Sequence, residues 1–320
     1  MRKVKAVKNL GKPISSGWFI TPALAILVGL TGLIMVILPL LPRLSLPSFP
    51  GENKISFDPW VERYVPPGGE KPETLLTPPL KTSGYILPKT KTVNVPIIFY
   101  HYIEYNHDPK DTIRMHLTVT PYWLEKQLRF LRDNGYTTVD LNQVRAAIMG
   151  RKDLPPKPVV ISFDDGYRDF YTDAYPLLKK YQAKATIYVI SDFLDRPNYM
   201  FTWQLKEIAT ESANLITIGA HTRHHLSLTS VSEKIAWDEI SGSKTRLEAI
   251  ISRPVVHFAY PYGFYNQAVA DLVKKAGFWT ATTTVPGTRE DSSNFFSFPR
   301  IRIGDYDGKF FESRLRVTGK

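Results

Sequence analysis

From Val93 to its C-terminal end, this 320-residue chain alternates short β-branched or aromatic runs with amphipathic stretches of helical period. VPIIFY precedes Pro121 to Asn134, TTV precedes Leu141 to Met149, VVISF precedes Phe170 to Gln182, and TIYVI precedes Trp203 to Thr210. LITIGA then leads to Ser232 to Ile251 and VVHFAY to Asn266 to Lys275, with WTATTT and FPRIRI following. About seven strand-to-helix steps predict parallel strands joined by crossover helices, in a barrel or an open doubly wound sheet. Thr120-Pro121 supplies a cap and a first-turn proline, and Gly135 and Gly277 sit where helices should end. His101, Asp164, Asp165, His221, Pro261 and Tyr262 all fall at C-terminal ends of these runs. Barrel enzymes place their chemistry there, so the expected fold is α/β, a distorted or incomplete (β/α) barrel.

Upstream the composition changes. Residues 18–41, from Trp18 to Leu41, carry no charge, and 24 residues in a helix exceed the roughly 30 Å hydrocarbon core of a bilayer. A cleavable signal has a shorter apolar region, about 7–15 residues, so we expect one transmembrane helix. Residues 1–17 contain Arg2, Lys3, Lys5, Lys8 and Lys12, a basic tail that the positive-inside rule keeps in the cytoplasm. Residues 42–92 are dense in proline and read as an extracytoplasmic linker, leaving 93–320 as the catalytic domain outside the cell membrane. The five N-terminal cations supply +5 of the net +11, so the rest is mildly basic. No basic stripe interleaved with aromatics supports a nucleic-acid partner. The absence of cysteine excludes a disulfide framework, a thiolate nucleophile and a thiolate metal site.

Asp164 and Asp165 leave the buried run VVISF side by side, and adjacent carboxylates repel unless a cation or a shared proton relieves them. An Asp-Asp-Gly turn is by itself ordinary turn chemistry. His221 and His225 follow LITIGA within HTRHH, and a spacing of four brings two imidazoles to one face if the segment turns helically; His224 then points elsewhere. Asp165, His221 and His225 form a two-histidine, one-carboxylate set suited to Zn²⁺ or another divalent transition ion, with Asp164 free to act as a base.

SFDDG, HTRHH and FAYPYG, in this order on this rhythm, resemble the polysaccharide deacetylases of carbohydrate esterase family 4, over roughly Val93 to Ile303. The resemblance implies a distorted, incomplete (β/α) barrel, with Asp164 as catalytic base and Asp165, His221 and His225 as metal ligands. It also implies that Pro261 and Tyr262 line the groove, the Tyr262 amide helping to hold an oxyanion. Trp279 reads as core rather than groove wall. Two family features are missing: an arginine before the proline of the third motif, where Ala259 and Tyr260 stand, and a late Leu-x-His acid. VPIIFYHYI is similar to the first strand of a subgroup, including poly-N-acetylglucosamine deacetylases, that lacks the late histidine. His101 is therefore the candidate general acid, and Arg300 or Arg302 the candidate to orient Asp164. The expected activity is metal-dependent removal of N-acetyl groups from an N-acetylglucosamine polysaccharide, peptidoglycan or biofilm exopolysaccharide, at the cell surface. A degenerate glycan-binding domain and an O-acetyl xylan esterase are the alternatives.

Overall fold

A computed structural model describes residues 89–106 and 108–316. These residues belong to the compact unit Leu80–Lys320. The basic tail, the uncharged run Trp18 to Leu41 and nearly all of the Pro-rich segment lie outside the described residues. Among the described residues no helix is long and apolar enough to cross a membrane.

The main sheet contains β1 (Ile97–Tyr100), β2 (Thr137–Thr138), β3 (Pro158–Phe163), β4 (Ala185–Val189), β5 (Ile216–Ala220), β6 (His257–Ala259), β7 (Thr280–Thr282) and β8 (Ile301–Arg302). Its order is β7-β6-β5-β4-β3-β1-β8, every neighbouring pair parallel, with β2 added to the start of β3. Parallel neighbours need crossovers, supplied by α1 (Pro121–Asp133), α2 (Leu141–Ile148), α3 (Tyr175–Tyr181), α4 (Thr202–Glu211), α5 (Glu233–Ile251) and α6 (Gln267–Lys275). The helix α7 (Gly308–Leu315) follows β8. The sheet curls: Phe298 bridges in parallel to Thr282 of β7, while Ile301 of the same segment pairs with Ile98 of β1. Segment 295–303 thus laces the two edges of an irregular barrel, in agreement with the expected fold.

Helix starts follow their caps. Thr120 accepts from the Trp123 amide with Pro121 in the first turn, and Asp140 and Gln143 cap α2 reciprocally. The stretch predicted as one helix from Phe170 instead opens with a π-helical turn, Phe170–Ala174, before α3. Pro176 in the first turn of α3 brings no amide hydrogen, so the turn before it widens rather than continuing as α-helix.

Strand alternation divides the core. Ile98, Tyr100, Ile161, Phe163, Ile187, Val189, Ile218 and Phe258 pack in one cluster with Leu128, Leu178, Ile208, Leu247 and Val273 of the helices. Ile97, Val160, Tyr188 and Ala259 point the other way, into the barrel, with Phe298. Gly219 shares this inner face because a Cβ there would sit 2.5 Å from the Tyr188 ring. The chain enters this body at the N-terminal ends of the strands. The Lys91 amide donates to Ile148 O at the end of α2, and its ammonium pairs with Asp153 in the next loop.

Candidate active site

The inner parity of the strands continues past their ends. Phe99 leads to His101, Ser162 to Asp164, Gly219 to His221 and Ala259 to Pro261, so four strands deliver their next inward residue to one mouth. Asp165 joins them because the chain breaks its parity there, with Asp165 and Gly166 both in the left-handed region (φ 71° and 77°).

Asp165 Oδ1 lies 3.3 Å from His221 Nε2 and 3.4 Å from His225 Nε2. The oxygen is buried and accepts no well-formed hydrogen bond, an arrangement that costs free energy unless a cation completes it. Ligand bonds of about 2.0–2.1 Å at tetrahedral angles put donor atoms about 3.3–3.4 Å apart, the spacing seen between Asp165 and each histidine. His221 Nδ1 donates to Ala259 O at 2.7 Å, since a carbonyl can only accept, and this leaves Nε2 with its lone pair toward Asp165. Burial pushes His221 down, but Asp165 and Asp164 outweigh it and hold its pKa above the ordinary value. Burial and the His221 charge push His225 down to about 4. A cation beside Asp165 would satisfy its buried oxygen, and a divalent ion would take the place of a proton shared with His221. The residues fit the ion, with one correction to the sequence reading: HTRHH is a loop, not a helical turn. Thr222 and His225 have φ of 64° and 59°, and the loop folds the two imidazoles together at a ring separation of 4.9 Å. His224 turns away to Glu239.

Asp164 is gripped at both oxygens by Arg300, Nη1 to Oδ1 and Nη2 to Oδ2 at 2.8 Å each. Arg300 is fully buried, donates Nε to Thr283 O and lies over the Phe99 ring at 4.4 Å. Arg302 is exposed, which settles which arginine meets Asp164. Burial alone would raise the Asp164 carboxyl, but Arg300, with smaller help from His221 and His101, holds it below its ordinary value. Removing one partner of such a pair strands the other, so Arg300→Met should cost about 3–5 kcal/mol of unfolding free energy at pH 7. The sign of its pH dependence follows. In the wild type the depressed carboxyl contributes stability above the unfolded value of about 3.9 and loses it as pH falls through the folded value. In Arg300→Met burial is unopposed, the carboxyl rises, and stability falls as pH increases through the raised value. Urea midpoints of the two proteins should thus converge between pH 7 and pH 5; a gap that stays constant would mean Asp164 does not carry the loss.

His101 is partly buried against Phe99, at a ring separation of 5.7 Å. Tyr262 has φ 61°, is half exposed, and rests its ring 4.6 Å from that of His225; Pro261 is buried beneath it. Gly263 cannot be replaced without a clash, since a Cβ would meet Thr284 Oγ1 at 2.1 Å. Trp279 corrects the sequence reading: it stands at the entry of β7, away from the mouth, 39% exposed and capped by the Arg145 guanidinium. Sequence reasoning missed a second wall of the mouth. Tyr102 stacks on Tyr167 at 4.0 Å, and Tyr199 meets Tyr167 at a tilt of 31° with ring centres 5.0 Å apart. Burial, aided by the Asp165 charge, raises all three phenols, Tyr102 to about 12.

Comparison with known proteins agrees with this geometry. A family profile described as polysaccharide deacetylase matches residues 151–281. YxkH of Bacillus subtilis strain 168, assigned to the polysaccharide deacetylases, is 32% identical over 239 residues, 72% of this chain and 81% of that protein. The poly-β-1,6-N-acetyl-D-glucosamine N-deacetylase of Escherichia coli K12 is 27% identical over 57% of this chain and 33% of its own length. The solved structure of the Streptococcus pyogenes deacetylase PplD with acetate shares 28% identity and a TM-score of 0.65, covering 71% of this chain and all of that one. With the relative from Bacillus at this identity and coverage, and with the family profile matching residues 151–281, the chain belongs to the polysaccharide deacetylase family.

Proposed function

We propose that this chain is a metal-dependent deacetylase removing N-acetyl groups from an N-acetylglucosamine-containing polysaccharide, peptidoglycan or biofilm exopolysaccharide, outside the cell. The observation that carries the reading is the buried, unsatisfied Asp165 Oδ1 between two imidazoles, next to an Asp164 held ionised by Arg300. A divalent ion on Asp165, His221 and His225, most simply Zn²⁺, would polarise the acetyl carbonyl and acidify water. Asp164 takes the proton of the attacking water; Arg300 occupies one lone pair of each oxygen and leaves others free for it. The Tyr262 amide assists in holding the oxyanion, and His101 donates the proton that the amine nitrogen needs to leave. Names of relatives at 27% identity favour N-acetylglucosamine polymers. Arg300 supplies the guanidinium that the third motif lacks, which weakens the reading of a degenerate, purely glycan-binding domain. The uncharged run behind a basic tail supports a membrane-held enzyme with its domain outside the cell.

The test uses the full-length chain on N-acetylglucosamine oligomers and on an activated O-acetyl ester, before and after chelation and ion add-back. Deacetylation of the oligomers should vanish on chelation and return with a divalent ion. His101→Ala should slow the amide about a hundredfold and the activated ester far less, because the stabilised oxyanion of an activated ester leaves without a proton whereas an amide nitrogen does not. Turnover of the ester alone would make the enzyme an O-acetyl esterase, and ion binding without turnover would make it a glycan-binding domain.

A further inference from the structure

The loop that carries both histidine ligands cannot hold its own shape. Residues 221–225 contain two left-handed residues without glycine, Thr222 and His225, a conformation that L side chains disfavour and that surrounding structure must impose. Among the described residues one hydrogen bond lies within the loop, the His225 amide donating to Thr222 Oγ1 at 2.9 Å, and the other polar fastenings come from outside it. Beside it, the Ser191 and Asp192 amides donate to Thr222 O and Arg223 O, both at 3.1 Å. Beneath it lies α5. Glu239, with a side chain 6% exposed, turns its carboxylate up from the second turn of that helix. Its Oε2 accepts from the Arg223 amide at 3.1 Å and the His224 amide at 2.8 Å, and its Oε1 lies 2.6 Å from His224 Nδ1. The two amides held are those of the chain between the ligands.

Gly242, three residues along the same helix face, completes the seat. A Cβ there would lie 2.6 Å from Arg223 Cδ, so the missing side chain is the groove in which the Arg223 stem lies before its guanidinium reaches Asp192 at 2.7 Å. Glycine inside a helix weakens it relative to alanine, and here the gap has a defined use. A buried carboxylate and an absent Cβ on one helix face, both directed at one loop, are more than a helix needs for its own stability.

We infer that Glu239 is a positioning residue for the metal centre, and that α5, which carries no ligand, sets the spacing of the His221 and His225 nitrogens through Glu239 and Gly242. The inference rests on the metal site proposed above. Its chemistry is simple: a carboxylate accepting both amides fixes the peptide planes between the ligands, and the imidazoles inherit that orientation.

The experiment compares full-length wild type with Glu239→Ala, Glu239→Gln and Gly242→Ala, none of which alters a ligand. Zn²⁺ affinity is measured by competition with a chromogenic chelator, and melting is followed with and without saturating Zn²⁺. Glu239→Ala should weaken Zn²⁺ binding about ten- to a hundredfold, the scale of outer-shell changes, and shrink the melting increment that the ion produces. Glu239→Gln keeps an acceptor oxygen for the amides and should recover most of the affinity. Gly242→Ala, with Glu239 intact, should weaken binding in the same direction by displacing Arg223. If the ion-free proteins melt lower but all three bind Zn²⁺ as the wild type does, Glu239 is scaffold only and the inference is wrong. Should Glu239→Ala not fold, Gly242→Ala decides it: weakened Zn²⁺ binding supports the inference and wild-type binding overturns it. A wild type that binds no divalent ion would instead overturn the metal site itself.

Discussion

Asp164→Asn is expected to keep its bound metal and lose at least about a hundredfold in kcat, the scale on which removal of a positioned general base is felt. The amide has the shape of the carboxylate but cannot take a proton from water. It also presents an NH₂ group where Arg300 now donates to two oxygens, so one donor must face another in a buried site. Some loss of stability should therefore accompany the loss of rate, and melting in the ion-bound state separates the two. Metal content measured beside kcat on the same preparation is the check. Retained turnover would show that another group accepts the proton; lost metal would show that the two aspartates exchange roles.

His221→Ala and His225→Ala should each empty the metal site, taking content from about one ion per chain to background and activity with it, because two ligands hold a divalent ion far more weakly than three. His224→Ala is the control. Its ring faces Glu239 and Asp192 rather than Asp165, and the backbone amides that Glu239 holds survive the change. Elemental analysis of the three purified proteins decides the assignment, and equal ion content in all of them would refute it.

Much of this arrangement was legible because strands have a period of two. Once VPIIFY, VVISF, LITIGA and VVHFAY are read as parallel strands, His101, Asp164, His221 and Pro261 all fall on the inward parity just beyond their ends. The histidine pair was found through helical spacing, which the loop does not have; the four-residue separation served a different geometry. Depth was not legible. Arg300 and Arg302 share a parity, and only the position of β8 in the sheet buries the first against Asp164 and leaves the second in solvent. The tyrosine wall draws on three separate segments, and Glu239 reads along the chain as one more helix acid; nothing local distinguishes either from ordinary packing. The short helix Thr112–Leu117 and α7 were missed although Asp111 and Asp307 cap them, because neither carries a long apolar stripe.

The entry of the chain beside Ile148 and Asp153 has a mechanical meaning. A body held at one pole swings about it, and the opposite pole sweeps the widest arc. A pull applied before Lys91 would fall first on the Lys91 bonds to Ile148 O and Asp153, and then on the short ladder that joins Val93 and Asn94 to Glu290 and Arg289, with the Val95 amide bound to Glu290 beside it. The mouth lies at the opposite ends of the strands, so a load applied at the entry would pass through the base and leave the site undisturbed.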